Sequence, residues 1–121
     1  MYAATAGKVG VVGYCFGGLV TAASAIKSAS VFSAAASYYG GNTITLIDQK
    51  PAIPMIAHYG DKDQYIPVSD VDKIKAAWAG TQVYLYPADH GFNCDHRPAF
   101  DVQSAAIAQA RTFRFFARHL G

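Results

Sequence analysis

The chain has 121 residues, of which 52% are hydrophobic and 15% are charged, and its formal net charge is +2. This length and composition predict one small folded domain over residues 1–121 and exclude a disordered chain. The few scattered basic residues form no stripe for nucleic acid, and no apolar run reaches the ~18 residues that a membrane span requires. We therefore expect no nucleic-acid partner and no membrane partner.

The small number of cysteines indicates the cellular compartment of the protein. Cys15 and Cys94 are too few for the disulfide framework of a small secreted protein. The N-terminus has no charged and apolar leader of the kind that directs secretion. Both features favour the cytoplasm, where reducing conditions keep a cysteine nucleophile reduced.

Short apolar segments alternate with helical patterns along the chain. This alternation predicts an α/β fold with a mostly parallel sheet of about four strands flanked by helices. Residues 42–49 fit either a loop or a short element. The predicted strands are residues 9–12, 31–39, 53–59 and 82–86, and the predicted helices are residues 18–28, 68–79 and 99–120.

The last predicted helix is amphipathic. Its arginines, Arg111, Arg114 and Arg118, lie off the apolar side at helical spacing. We expect the opposite side to pack on the sheet. The residues expected on that buried side are Ile107, Ala110, Phe113 and Leu120.

A glycine-rich turn connects the first predicted strand to the first predicted helix. Its sequence, Gly13-Tyr14-Cys15-Phe16-Gly17, has the form of a nucleophile elbow with cysteine in place of the usual serine. Such a turn holds its nucleophile at a strained backbone angle and requires small residues at Gly13 and Gly17. The first turn of a helix also carries partial positive charge, which favours a thiolate. The motif therefore predicts Cys15 as a nucleophile, and the alternative is an ordinary buried cysteine.

Two later loops carry the residue types that activate a nucleophile. Asp61 and Asp63 follow the third predicted strand, and Asp89 and His90 follow the fourth. The carboxyl ends of parallel strands meet at one edge of a sheet, and the order nucleophile, acid, histidine is that of α/β-hydrolases. His90 is predicted to move the proton between thiol and leaving group, with one of the three aspartates orienting its other ring nitrogen.

Two other histidine arrangements need an interpretation. His58 lies in the third predicted strand and is expected to be a hydrogen-bonded sheet histidine. His90, Cys94, Asp95 and His96 form a group of residue types that bind zinc. They lie in one loop without a second pair of ligands elsewhere, so we expect no metal.

Four short motifs of this chain are similar to those of one known family. They are Gly13-Tyr14-Cys15-Phe16-Gly17-Gly18, Tyr38-Tyr39-Gly40, the loop at residues 60–67, and His90-Gly91-Phe92. With them, nearly the whole chain resembles the dienelactone hydrolases, which are also called carboxymethylenebutenolidases. The resemblance implies the C-terminal half of an α/β-hydrolase fold, without a cofactor.

The resemblance also implies roles for individual residues. Cys15 would be the nucleophile, His90 the base and Asp63 the acid, and an ester or lactone would be cleaved through an acyl-enzyme. The backbone N–H of Phe16 would be one oxyanion donor. Where members of the family have an arginine four residues after the histidine, this chain has Cys94. The residues expected to contact the small-molecule substrate are Tyr39, Phe92 and Arg97. The alternative for Tyr39, an aromatic residue that ends a predicted strand, is a position in the core or at the rim of the pocket.

Members of the family are about twice as long as this chain. The first half of their fold is absent, so we expect the chain to be a fragment of a longer protein. The first predicted strand would then have an unpaired apolar edge at residues 9–12, where a second copy of the chain could pair. The alternative function is therefore that of a non-catalytic half-domain that acts by association.

Overall fold

The structure is a computed structural model, and it describes residues 7–121. It confirms the predicted α/β fold: four parallel strands form one sheet in the order β1-β2-β3-β4. The strands are β1 (Gly10–Tyr14), β2 (Ala34–Tyr38), β3 (Met55–Gly60) and β4 (Gln82–Tyr86). The helices are α1 (Phe16–Lys27), α2 (Val68–Ala77) and α3 (Val102–Leu120), with a short 3-10 helix at Thr43–Leu46.

The prediction starts β2 three residues too early, since the strand begins at Ala34 and not at Val31. The N–H groups of Val31 and Phe32 both donate to the carbonyl of Ser28, at 3.0 Å each. These bonds close a turn after α1, so the residues are not available to the sheet. An apolar run does not distinguish such a turn from the start of a strand.

Helices cover both faces of the sheet. Ala35 of β2 belongs to a buried cluster with Ala22 and Ala25 of α1. Ala36, on the other face of the same strand, belongs to a cluster with Phe115 of α3. The core therefore has two apolar layers, one on each side of the sheet. Within residues 7–121, no helix has both the length and the apolar character to cross a membrane.

The buried side of α3 is not the predicted one. Ile107 and Phe113 are 47% and 64% exposed, and Ala110 is also exposed, whereas Leu120 is half-buried. The helix is rotated so that a polar residue, Thr112, faces the sheet. The buried residues of α3 are Ser104, Ala105, Ala108, Thr112 and Phe115.

A buried polar network explains this rotation. His58 of β3 is fully buried, with Nδ1 2.8 Å from the Tyr86 hydroxyl and Nε2 2.9 Å from the Thr112 hydroxyl. The Thr112 hydroxyl also lies 2.8 Å from the hydroxyl of Tyr38. Both ring nitrogens are bonded, which confirms the prediction for His58. Burial, and to a smaller extent the positive charge of Arg111, lowers the pKa of His58 to about 3.

The burial of a neutral histidine predicts that the fold loses stability in acid. The unfolded His58 has a pKa near 6.5 and the folded one a pKa of about 3, so the unfolded chain binds the extra proton between these values. The free energy of unfolding should therefore fall as the pH drops below about 6.5, by up to ~1.4 kcal/mol per pH unit from this group. Urea unfolding at pH 7 and pH 5 measures the difference.

His58→Gln should remove this part of the pH dependence, because glutamine does not titrate. His96→Gln is the matched control, since the His96 side chain is 92% exposed. An unchanged difference between pH 7 and pH 5 in His58→Gln would contradict the assignment.

Candidate active site

The turn between β1 and α1 places Cys15 at the carboxyl end of the sheet. Cys15 has φ 56° and ψ −121°, a conformation that residues other than glycine rarely adopt. Its N–H donates to the Tyr38 carbonyl at 3.1 Å, and its carbonyl accepts from the N–H of Gly18 at 2.9 Å. Cys15 is thus held by both strand β2 and helix α1. A strained residue fixed between a strand and a helix has the geometry of a nucleophile elbow.

Gly13 and Gly18, and not Gly17, make the close approach possible. A Cβ atom on Gly13 would lie 2.0 Å from the Gly17 carbonyl oxygen, and one on Gly18 would lie 2.6 Å from the Tyr38 carbonyl oxygen. At Gly17 a Cβ atom would meet nothing within 4 Å in the described part of the chain. The expectation that Gly17 must be small is therefore wrong, because its carbonyl oxygen, and not its α-carbon, lies against Gly13.

Asp63 and His90 form a hydrogen-bonded pair. The Nδ1 atom of His90 lies 2.6 Å from Oδ2 of Asp63. The other carboxylate oxygen accepts from the backbone N–H groups of Tyr65, at 2.8 Å, and Ile66, at 3.1 Å. The Asp63 side chain is fully buried, and that of His90 is 16% exposed. The loop after β3 thus fixes the carboxylate, and the carboxylate fixes the imidazole ring.

The other two aspartates have different contacts. Asp89 accepts from the backbone N–H of His90 at 2.7 Å and so stabilises the turn after β4. Asp61 is exposed, and its backbone N–H donates to the Tyr86 carbonyl at 2.8 Å. Of the three candidates, Asp63 is the one whose carboxylate is bonded to the His90 ring.

Cys15 and His90 line one cavity of about 430 Å³ at the carboxyl end of the sheet. The hydrogen bonds within residues 7–121 include none between the Cys15 thiol and the His90 ring. The backbone N–H of Phe16, the first residue of α1, also has no acceptor in this part of the chain. The other residues that line the cavity are Phe16, Leu19, Gly41, Asn42, Tyr65 and Arg97.

Two of the three residues expected to contact the substrate are buried beneath the cavity. Tyr39 and Phe92 are 1% and 0% exposed, and neither lines the cavity. The ring of Tyr39 lies 5.2 Å from the rings of both His90 and Phe92. Burial raises the pKa of the Tyr39 hydroxyl, so this group stays protonated at neutral pH. Their burial contradicts the expected substrate contact: Tyr39 packs against the His90 ring and Phe92 packs against Tyr39, while Arg97 does line the cavity.

The sequence prediction missed three side chains of the cavity wall. Tyr65 is 78% exposed, and its ring lies 5.2 Å from that of His90. It belongs to the loop that carries Asp63, so its nearness to the site could have been inferred. Leu19 lies one helical turn after Cys15, which the spacing of a helix predicts. Asn42 follows a Gly-Gly turn and has a φ of 62°, which no sequence pattern specifies.

The side chains of the group at residues 90–96 do not point to a common centre in the described part of the chain. Asp95 and His96 lie 3.5 Å apart, but their side chains are 74% and 92% exposed. Cys94 is half-buried, and its backbone N–H donates to the Gly91 carbonyl at 3.0 Å. In the part of the chain that the structure describes, no three His, Cys or Asp side chains are grouped so as to hold a metal ion.

Comparison with known proteins agrees with this geometry. Residues 2–120 match the model of the dienelactone hydrolase family. The chain belongs to this family. The resemblance expected from the sequence motifs is therefore confirmed.

Curated relatives match most of the chain. A Synechocystis protein named "Putative carboxymethylenebutenolidase" is 33% identical over 93% of this chain and 51% of its own length. Carboxymethylenebutenolidase 1 of Cupriavidus pinatubonensis is 30% identical over 92% of this chain and 49% of its own length. The chain thus spans about half the length of the curated relatives that it matches.

Solved structures agree on the fold. A crystal structure from Klebsiella pneumoniae, named "Putative Dienelactone Hydrolase", has a TM-score of 0.83 and 26% identity over 91% of this chain and 52% of its own. The esterase Pf2001 of Pyrococcus furiosus has a TM-score of 0.74 over 95% of this chain and 55% of its own, at 13% identity. The second likeness concerns the fold alone, which is that of α/β-hydrolases.

The packing at the elbow predicts different effects on stability for alanine at Gly13 and at Gly17. Gly13→Ala should lower the free energy of unfolding by at least ~2 kcal/mol, because the new methyl group would overlap the Gly17 carbonyl. Gly17→Ala is the matched control and should leave stability unchanged or raise it by up to ~1 kcal/mol, as alanine favours the helix. Urea unfolding of both variants tests this. An equal loss in the two variants would contradict the described packing.

Proposed function

We propose that this chain carries the catalytic residues of a hydrolase that cleaves ester or lactone bonds with Cys15 as the nucleophile. The observation that carries the proposal is the shared cavity, which brings the Cys15 thiol and the Asp63–His90 pair to the same end of the sheet. Membership of the dienelactone hydrolase family supports ester or lactone hydrolysis as the reaction class.

The first half of the reaction forms an acyl-enzyme. The Nε2 atom of His90 takes the thiol proton, and the sulfur of Cys15 attacks the carbonyl carbon of the substrate. The Phe16 N–H donates to the developing oxyanion. As the tetrahedral intermediate collapses, the carbon–oxygen bond to the leaving group breaks, and the leaving oxygen takes the proton from His90. The product of this half is a thioester on Cys15.

The second half releases the acid. His90 takes a proton from water, and the hydroxide attacks the thioester carbonyl. The carbon–sulfur bond then breaks, and the proton returns from His90 to the sulfur of Cys15. Asp63 accepts the Nδ1 hydrogen throughout, which keeps Nε2 free as the base and stabilises the imidazolium form.

The position of Arg97 favours one chemical feature of the substrate, a carboxylate. Its guanidinium lines the same cavity as Cys15 and His90. A guanidinium binds carboxylates with paired hydrogen bonds, so it favours a substrate that carries a carboxylate beside its ester or lactone group. We propose that Arg97 binds this carboxylate and thereby orients the reacting carbonyl toward Cys15.

The mechanism predicts that a reactive ester labels one of the two cysteines. After brief exposure to p-nitrophenyl acetate, intact mass and peptide mapping should find one acetyl group on Cys15. Cys15→Ala should abolish the rapid labelling, whereas Cys94→Ala, which removes the other half-buried free cysteine, should retain it. Rapid labelling that persists in Cys15→Ala would contradict the proposed nucleophile.

The same acetylation assay distinguishes the proposed role of Asp63 from that of Asp89. Asp63→Asn should slow acetylation of Cys15 by at least ~10²-fold, because the imidazole loses its orienting carboxylate. Asp89→Asn is the matched control and should keep a rate within a few-fold of the unchanged protein, since its carboxylate bonds to the backbone N–H of His90 and not to the His90 ring. Equal rates in the two variants would contradict the role of Asp63.

A second candidate function rests on the edge of the sheet. In residues 7–121, β1 has a strand partner on one side, β2, and none on the other. Val12 and Tyr14 of β1 are 45% and 44% exposed. An unpaired strand with exposed apolar residues favours pairing with another chain. We propose that two copies associate around a two-fold axis, so that the open edge of β1 in one copy pairs with the same edge in the other copy.

This association predicts a concentration-dependent dimer. Val12→Lys should weaken the dimer at least tenfold, because it places a charge beside the paired edge. Val20→Lys is the matched control, since Val20 is 47% exposed but lies on α1. Sedimentation equilibrium measures both. A protein that stays monomeric at all concentrations, or a Val12→Lys variant that dimerises as strongly as Val20→Lys, would contradict the proposal.

A further inference from the structure

Three arginines of α3 line a cleft that the proposed reaction does not use. Arg111, Arg114 and Arg118 follow one another at a spacing that places them along one side of the helix. Together with Gln82 and Tyr84 of the edge strand β4 and with Phe115, they line a cavity of about 130 Å³, which we call the arginine cleft. The arginine cleft shares no lining residue with the cavity of Cys15 and His90.

The positive charge of the arginine cleft has no counter-charge. Within residues 7–121, the ion pairs involve histidines and aspartates only, and none of the three arginines pairs with a carboxylate. No aspartate is among the residues that line the cleft. Like charges one helical turn apart, such as Arg114 and Arg118, repel each other. A bound anion would remove this repulsion.

Arg111 is held in place before any ligand arrives. Its guanidinium lies 4.0 Å above the ring of Tyr84 and donates to the Tyr86 hydroxyl at 3.2 Å. The Tyr86 hydroxyl is in turn 2.8 Å from Nδ1 of the buried His58. These contacts use one N–H of a group that has five. The remaining donors are therefore fixed in orientation, which lowers the entropy cost of binding.

The other polar groups of the cleft also act as donors. The Tyr84 hydroxyl donates to the side-chain oxygen of Gln82 at 3.2 Å. This bond occupies the oxygen of the Gln82 amide and leaves its NH₂ group free. The arginine cleft thus presents three guanidinium groups and an amide NH₂, so most of its free polar groups are hydrogen-bond donors.

We propose that the arginine cleft is a binding site for a phosphoryl group, either as inorganic phosphate or as the phosphate of a small monoester. A phosphoryl group carries up to two negative charges and three or more acceptor oxygens, which match several guanidinium forks better than a single carboxylate does. The cleft is small and has Phe115 as an apolar wall, so it fits one such group.

Titration of the protein with inorganic phosphate, followed by NMR of the arginine side chains, tests the proposal. The Nε–H signal of Arg111 should shift in a saturable way, because a ligand in the cleft contacts the guanidinium held over Tyr84. Sodium acetate at the same ionic strength is the control for general charge screening. Equal shifts with acetate, or no shift of Arg111 with phosphate, would overturn the proposal.

Substitutions locate the binding. Arg114→Gln combined with Arg118→Gln should weaken phosphate binding at least tenfold, and both side chains are exposed, so the fold does not depend on them. The charge-matched control is Lys73→Gln combined with Lys75→Gln, which removes two exposed charges from α2. Equal weakening of phosphate binding in the two double variants would overturn the assignment of the site to the arginine cleft.

A third titration, with glycerol 3-phosphate, identifies the source of the phosphoryl group. Tighter binding than that of inorganic phosphate indicates a phosphate monoester as the ligand, and weaker binding indicates free phosphate. Failure to saturate with both compounds would overturn the proposal.

Discussion

The contact between the start of α1 and the ends of β1 and β2 is the constraint on which the candidate site depends. Gly18 lies so close to the Tyr38 carbonyl that no side chain fits, and Gly13 lies closer still to the Gly17 carbonyl. This approach leaves Cys15 as the one residue between strand and helix, with a positive φ that costs roughly 1–3 kcal/mol. The hydrogen bonds of its own backbone N–H and carbonyl hold it there. The strain is thus maintained by packing that extends through two layers of the fold.

His58 and His90 are the same residue type in two different environments, one inside the sheet and one in a loop at its end. His58 is enclosed between β3 and α3, both of its nitrogens are bonded, and burial keeps it neutral. His90 lies in the loop after β4, bonded through one nitrogen to the carboxylate of Asp63 and partly open to the cavity. A base needs a free nitrogen and a nearby negative charge to stabilise its protonated form. His90 has both, and His58 has neither.

The order of the elements was predictable because apolar runs and glycines are local signals. The sequence also led to His90 and to three candidate aspartates, since residues at the carboxyl ends of neighbouring strands must lie close together. The family resemblance then selected Asp63 among the three. The predicted side of α3 was wrong because a count of apolar residues ignores Thr112, whose hydroxyl contacts Tyr38 and His58 from far away in the chain. The expected contacts of Tyr39 and Phe92 with substrate failed for a similar reason. A motif places a residue near a site, but packing decides whether its side chain lines the cavity or lies beneath it.

The two candidate functions meet at one place in the molecule. Cys15 follows directly after Tyr14, the last residue of β1, which within residues 7–121 has one unpaired edge. A strand that pairs along the whole open side of β1 therefore passes beside Tyr14, the neighbour of Cys15. In the proposed mechanism the backbone N–H of Phe16 is one oxyanion donor, and two donors stabilise an oxyanion better than one. The proposed association and the proposed hydrolysis therefore involve adjacent residues of the fold, Tyr14 at the end of the open strand and Cys15 at the start of the cavity.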